Sequence, residues 1–136
     1  MTRHDHAEHT FTSVPESVAA ARTFISRTLQ EWHVTSHADD ILLCASELAS
    51  NAVKYGSSTE GGRAVFQVRL DADDTHLRVE VEDGDPLTVP RMNRAAEGET
   101  GGRGMAIVAS LASAWGFESH AAAGKAVWSE FVTSAA

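Results

Sequence analysis

The sequence predicts an α+β fold, a two-layer α/β sandwich with helices on one face of a mixed, mostly antiparallel sheet. Apolar residues recur at helical spacing between residues 18 and 53, and the period then switches to two in residues 63–71 and 75–83. A further helix and two short strands are expected after residue 103. Grouped helices and consecutive hairpins favour this class over alternating parallel units.

The N-terminal third is expected to contain a lead-in and two helices. Residues 1–10 are polar and rich in histidine, which predicts a disordered segment ahead of a single domain over residues 11–136. A metal site on these histidines is the less favoured alternative to a solvated tail. Pro15 followed by an acid is typical of a helix start, so a first helix is expected to run to about residue 32 after a short strand near 11–14. A second helix is expected from Ala38 to Tyr55, before a glycine.

The remaining chain is expected to form two hairpins separated by a loop and a helix. Residues 71–74 are expected to form the turn of the first hairpin. The stretch 84–101 contains prolines and glycines with little regular signal, which is typical of a functional lid or of disorder. A third helix is expected over about 104–114. It precedes strands near 115–120 and 126–133.

Composition excludes several function classes. The 136 residues carry a formal net charge of −8, which argues against a direct nucleic-acid partner because phosphate neutralisation needs a basic face. Cys44 is the single cysteine, so no intrachain disulfide can form, as is typical of a reducing compartment. No apolar run reaches membrane-spanning length and no signal-like start is present. We therefore expect a cytoplasmic protein without membrane contact.

Three segments carry residues suited to chemistry. On the second helix, Glu47, Asn51 and Lys54 fall within an arc of about 60° beside the apolar face, with Tyr55 at its edge. A carboxylate, an amide oxygen and an ammonium so placed could orient a hydroxyl, ligate Mg²⁺ and contact a phosphate. A solvated helix side is the competing interpretation, and for this segment alone it is the stronger one.

The other two segments lie at a strand end and before a helix. Asp83 ends an alternating strand and precedes Gly84, so its carboxylate could accept hydrogen bonds from an exocyclic amine; a turn-forming Asp-Gly is the alternative. The run from Thr100 to Met105 enters the third helix, where glycines and free N–H groups suit a phosphate. A flexible hinge explains that glycine cluster equally well.

Taken together, the three segments resemble the N, G1 and G2 boxes of the GHKL ATPases, the gyrase and histidine-kinase superfamily. The matching stretches are Glu47–Gly56, Asp83–Pro86 and Gly102–Met105, and the likeness extends over about residues 11–133. The Gly-Arg-Gly-Met run with Trp115-Gly116 resembles the actinobacterial anti-sigma-factor branch. The resemblance implies a histidine-kinase-like, Bergerat-type ATP-binding domain that uses ATP and Mg²⁺.

The resemblance also implies roles for individual residues. Glu47 matches the general base, and Asn51 matches the Mg²⁺ ligand. Asp83 matches the acid that binds the adenine amino group. The other nucleotide-binding positions it implies are Lys54, Tyr55, Gly84, Gly102, Arg103, Gly104 and Met105, and residues 87–101 would form the ATP lid.

Two departures from the family pattern bear on affinity. Pro86 follows Asp85 where many relatives have a second glycine, so the turn is stiffer there. Ala126 lies where relatives usually carry a threonine that helps Asp83 to hold adenine, which predicts weaker nucleotide binding. The function implied is an anti-sigma-type serine/threonine protein kinase, which phosphorylates a small antagonist protein and sequesters a sigma factor. The first helix could serve a homodimer or another partner. A nucleotide-gated binding module without phosphotransfer and an ATPase acting on its own are the alternatives.

Overall fold

In the part of the chain that the structure describes, five antiparallel strands and a two-residue sixth form one open sheet, and three helices pack against it. A computed structural model describes residues 2–55, 59–60, 63–84, 101–119 and 124–133. The helices are α1 (Glu16–Glu31), α2 (Ala38–Tyr55) and α3 (Gly101–Leu111). The strands are β1 (His4–Thr12), β2 (Thr59–Glu60), β3 (Arg63–Asp73), β4 (His76–Asp83), β5 (Ala114–Ser119) and β6 (Lys125–Val132). The α+β two-layer class predicted from the sequence is confirmed.

The strand order along the sheet is β1-β3-β4-β6-β5, with the two-residue β2 paired to the start of β3. Every pairing among the described strands is antiparallel, so the expected mixed character is wrong for this part of the chain. The alternation that predicted strands has its physical cause here. In β4, successive side chains alternate between partly exposed and buried, because only one face of the sheet packs against helices.

The N-terminal segment differs most from the expectation. Residues 4–10, expected to be disordered, form most of β1, which pairs with β3 at nine consecutive positions. Two contacts anchor this polar strand: the guanidinium of Arg3 donates to the Trp32 carbonyl at the end of α1, and His6 contacts Asp71 across the pair. Near the other end of β1, Phe11 stacks on Phe66 with ring centroids 5.4 Å apart. Pairing and packing with distant residues therefore order a segment whose own composition is that of a tail.

The helix boundaries follow from local geometry. α1 ends because His33 takes a left-handed conformation (φ 58°) and the Val34 N–H donates to the Leu29 carbonyl at 2.9 Å, a hydrogen bond that closes the helix. α2 has the bounds that the sequence predicts. α3 begins at Gly101 and ends at Leu111, three residues earlier at each end than expected. The chain must turn at residues 112–113 to start β5 at Ala114.

A single hydrophobic cluster joins the two layers. α2 contributes most of its predicted apolar face, since Ile41, Ala45, Leu48, Ala49 and Ala52 are all buried. These side chains meet alternate residues of the central strands, and α1 and α3 add Ile25, Leu29, Met105 and Val108. Within the described ranges, no helix is both long enough and apolar enough to cross a membrane.

Candidate nucleotide site

The connections of the helices indicate that the three candidate segments lie toward one end of the sheet. α2 begins just after Ser36, whose hydroxyl donates to the Thr133 carbonyl at the C-terminal end of β6 (3.4 Å). α3 ends at that same end, where the Ser113 N–H donates to the Glu130 carbonyl (2.8 Å). α2 is about 27 Å long and β6 spans a similar length, so we expect the end of α2 and the start of α3 to lie toward the opposite end of the sheet. That is where β4 ends and β6 begins.

Asp83 lies at this end on the core face of the sheet. It continues the buried alternation of β4 and its side chain is only 4% exposed. A carboxylate so enclosed needs polar partners, because burial of an unpaired charge costs several kcal/mol. Its carboxylate oxygens are 3.0 and 3.1 Å from the ammonium nitrogen of Lys125, the residue directly opposite in the β4–β6 register.

The sequence interpretation missed Lys125, which is itself only 6% exposed at the side chain. A signal was present in β6, where Lys125 is the first of the alternate residues whose other members, Val127, Ser129 and Phe131, face the core. A charged residue in such a series indicates a buried partner of opposite charge. The basic group therefore belongs to the candidate site.

Gly124 allows the two strands to approach closely at this point. Gly124 precedes Lys125 and has a φ of 116°, a backbone conformation that residues with a Cβ rarely adopt. A Cβ at this position would lie 2.0 Å from the Asp83 carbonyl oxygen and 2.8 Å from the Gly84 Cα. Any larger residue would push β6 away from Asp83, so Gly124 is required for the ion pair to form.

The strand register contradicts the role given to position 126. Ala126 is opposite Glu82 rather than Asp83, so its side chain points to the other face of the sheet. A threonine hydroxyl there would not share a face with the Asp83 carboxylate. The expectation that Ala126 weakens adenine binding is therefore wrong, and the residue beside Asp83 is Lys125.

The three polar residues of α2 retain the arrangement that their spacing predicts. Glu47 and Asn51 are partly buried, and Lys54 is exposed. Within the described part of the chain, these three side chains have no hydrogen-bond or ion-pair partner. Their polar atoms are thus not committed to holding this part of the fold together. Tyr55 ends α2, and its side chain lies outside the described residues.

The glycine-rich segment forms the first turn of α3. Gly102, Arg103 and Gly104 are helical, so their backbone N–H groups belong to the helix N-terminus, which favours anions. The Arg103 side chain lies outside the described residues. Met105 is 1% exposed and belongs to the hydrophobic cluster, so the structure places it in the core. Of the expected lid over 87–101, all but Gly101 lies outside the described residues.

The residues at this end fit a magnesium nucleotide in their chemistry. Carboxylate and amide oxygens are the ligands that Mg²⁺ prefers, and Mg²⁺ usually takes only one or two protein ligands beside phosphate oxygens. In the described ranges, no three His, Cys, Asp or Glu side chains cluster as a metal centre built by protein alone would require. Asn51 together with phosphate oxygens would provide a site of the kind that Mg²⁺ usually takes, with one or two protein ligands.

Comparisons with known proteins place the chain in a family. A search of curated proteins found no match. Among solved structures, the chain resembles the RsbU and RsbW domains of Rv1364c from Mycobacterium tuberculosis, with a TM-score of 0.68 and 20% identity over 97% of this chain. It spans 34% of that longer protein, and at this identity the likeness shows the fold. Residues 11–130 match the family described as the histidine kinase-like ATPase domain, a match that covers most of the chain. The chain belongs to the histidine kinase-like ATPase domain family.

Proposed function

We propose that the chain is an ATP-dependent serine/threonine protein kinase of the anti-sigma type. The observation that carries the proposal is Asp83, a carboxylate enclosed at the end of β4 beside Lys125. The hydrogen bonds that hold the start of α2 and the end of α3 to the far end of β6 support a location of Asn51 and the α3 N-terminus near it. Membership of the family implies ATP binding. In this proposal Asp83 supplies a hydrogen-bond acceptor for the base, Asn51 an oxygen ligand for Mg²⁺, and Glu47 a carboxylate for the attacking hydroxyl.

Each residue has a defined task in this proposal. Asp83 accepts a hydrogen bond from the exocyclic amine of adenine, and the N–H groups of the first turn of α3 face the phosphates. Asn51 would hold Mg²⁺, which neutralises charge on the phosphate oxygens when bound. Lys54, exposed at the end of α2, reaches a phosphate oxygen.

Glu47 would act on the attacking group. Its carboxylate orients the hydroxyl of a serine or threonine on the protein substrate and takes up the proton as the hydroxyl oxygen bonds to the γ-phosphorus. The bond from that phosphorus to the bridging oxygen breaks, and ADP leaves with the electron pair. Glu47 is one turn from Asn51 on the same side of α2, so the two side chains can act at one site.

The protein substrate and the regulated partner are part of the same proposal. The substrate is a small antagonist protein, and the unphosphorylated antagonist competes with a sigma factor for the chain. Support comes from the anti-sigma-type sequence pattern around Gly102 and from the fold shared with a structure that includes an RsbW domain. We place the activity in the cytoplasm, where both ATP and these partners occur.

The test separates chemistry from binding. Calorimetry with Mg-ATP should show binding to the wild type and, within a few-fold, to Glu47→Ala, because a general base acts mainly in the transition state. Phosphoryl transfer from radiolabelled ATP to candidate antagonist proteins should fall by about two to four orders of magnitude in Glu47→Ala. Asn51→Ala should lose both, and Glu31→Ala, an exposed glutamate on α1, should lose neither.

The outcomes are distinct. A wild type that does not bind Mg-ATP overturns the proposal entirely. A wild type that binds Mg-ATP and a partner but labels no serine or threonine leaves the nucleotide-gated binding module instead. Label transferred to water in the absence of any protein substrate would indicate an ATPase that acts on its own.

A further inference from the structure

Lys125 is the one basic group of β6, and it is enclosed beside the carboxylate to which the base-binding role is assigned. Its ammonium nitrogen is within 3.1 Å of both carboxylate oxygens of Asp83. The strand register puts the two side chains directly opposite each other on the same face. Gly124 keeps the two strand ends close enough for this contact. The position of Lys125 beside Asp83 is therefore fixed by strand pairing, and it does not depend on a flexible contact at the surface.

A buried ion pair is a poor device for stability alone. Desolvation of both charges offsets much of their attraction, and well-packed apolar residues at such positions are often as stabilising. A lysine in the core-facing series of a central strand is thus better explained by what it can bind. It lies at the end of the sheet where the nucleotide base is proposed to bind.

The chemistry of the pair matches one edge of adenine. A carboxylate only accepts hydrogen bonds, whereas the adenine edge presents the amino group, a donor, next to the ring nitrogen N1, an acceptor. Asp83 can serve the amino group but cannot serve N1. Lys125 places a donor about 3 Å from the carboxylate oxygens of Asp83, close enough for the two side chains to contact neighbouring positions on the base edge. An ammonium has three donors and a carboxylate about four acceptor sites, so the two groups can pair with each other and contact a ligand at the same time.

We infer that Lys125 is a specificity-determining residue of the nucleotide site, which donates a hydrogen bond to N1 of adenine while Asp83 accepts one from the amino group. The inference rests on the proposed adenine-nucleotide function. It adds a residue at position 125 to a site in which a hydroxyl at position 126 was expected to assist Asp83. It also assigns the recognition of N1 to a charged donor.

A ligand analogue tests this without altering the protein. In 1-deaza-ATP a C–H group replaces N1 and the amino group remains, so only the proposed contact with Lys125 is lost. The wild type should bind Mg-ATP about tenfold or more tightly than Mg-1-deaza-ATP, the ratio expected for a hydrogen bond to a charged group. 7-Deaza-ATP, altered at a nitrogen away from this edge, measures the effect of ring substitution alone.

Variants then assign the effect to Lys125. Lys125→Met should bind ATP more weakly and should bind ATP and 1-deaza-ATP equally, while its response to 7-deaza-ATP stays that of the wild type. Arg27→Met, which removes an exposed cation on α1, should retain the full preference for ATP. If Lys125→Met does not fold, Lys125→Arg keeps the charge with a different geometry and should reduce the preference.

Each result has one interpretation. A wild type that binds neither nucleotide overturns the proposed function. A wild type that binds ATP and 1-deaza-ATP equally leaves the function standing and overturns the role of Lys125. Lys125→Met that still prefers ATP over 1-deaza-ATP shows that the pair is structural and that another group recognises N1.

Discussion

Replacing Asp83 tests whether the candidate site also holds the fold together. Asp83→Asn changes a carboxylate to an amide of nearly the same shape, and so removes the charge that faces Lys125 at 3.0 Å. Both side chains are more than nine-tenths buried, so the lysine ammonium would remain in the interior opposite a neutral group. Because of this ion pair, we expect Asp83→Asn to lower the stability of the fold as well as nucleotide binding.

The size of the effect follows from the geometry. Removal of one partner of a buried ion pair costs about 3–5 kcal/mol, and the amide oxygen of asparagine preserves one of the two contacts. We therefore expect a loss of about 3 kcal/mol in the free energy of unfolding. For a domain of this size, that corresponds to roughly 12 °C in the melting temperature.

The assay is urea unfolding followed by circular dichroism, with a double-mutant cycle. The Asp83→Asn/Lys125→Met double variant removes both charges, so it should be more stable than the sum of the two single effects predicts, by about 2 kcal/mol. Asp39→Asn, an exposed acid in the first turn of α2, is the matched control and should lose less than about 1 kcal/mol. Additive single effects, or an Asp83→Asn variant as stable as the wild type, would refute the reasoning.

Three further predictions concern other parts of the structure. Burial raises the pKa of the Cys44 thiol to about 12, so a thiol reagent at pH 8 should label it only in denaturant; labelling of the native protein would contradict this. The hydroxyl of Ser129 is buried and has no hydrogen-bond partner among the described residues, so Ser129→Ala should raise the free energy of unfolding by about 1 kcal/mol in urea, and a loss would reveal a partner. Hydrogen bonds with Glu8 and, to a smaller extent, Asp71 raise the pKa of His6. The contribution of His6 to the free energy of unfolding is therefore fully present below about pH 6.5, and it is lost as the pH rises through the higher folded-state pKa. It should be less than about 1 kcal/mol because the group is exposed, and His6→Gln should remove that pH dependence from urea unfolding measured between pH 6 and 8.

Local pattern was sufficient where one element carries its own signal. α2 has a continuous apolar face, acids in its first turn and a glycine after Tyr55, and its predicted and observed bounds agree. The hairpin of β3 and β4 could be predicted equally well, because strict alternation of apolar and polar residues indicates a sheet with one buried face. Its turn is held by Asp73, whose carboxylate accepts from the N–H groups of Thr75 and His76.

Features that depend on distant partners could not be predicted in the same way. β1 has few apolar residues, and its order comes from pairing with β3, more than fifty residues away. The contact of Arg3 with Trp32 at the end of α1, 29 residues away, adds to it. The face on which each residue of β6 lies depends on register with β4, which no local pattern fixes. The resemblance assigned the residue beside Asp83 to position 126, whereas the register of β6 with β4 puts Lys125 there.

The placement of β1 at one margin of the sheet has a consequence for how the protein can be trimmed. The matched family segment begins at residue 11, which invites removal of the polar residues before it. Such a truncation would strip β3 of most of its partner and leave a long row of unpaired backbone N–H and C=O groups beside an apolar strand face. Exposed rows of this kind recruit further strands, so the shortened protein should self-associate in a concentration-dependent way during gel filtration. We therefore expect the histidine-rich start of the chain to limit aggregation by covering the edge of β3.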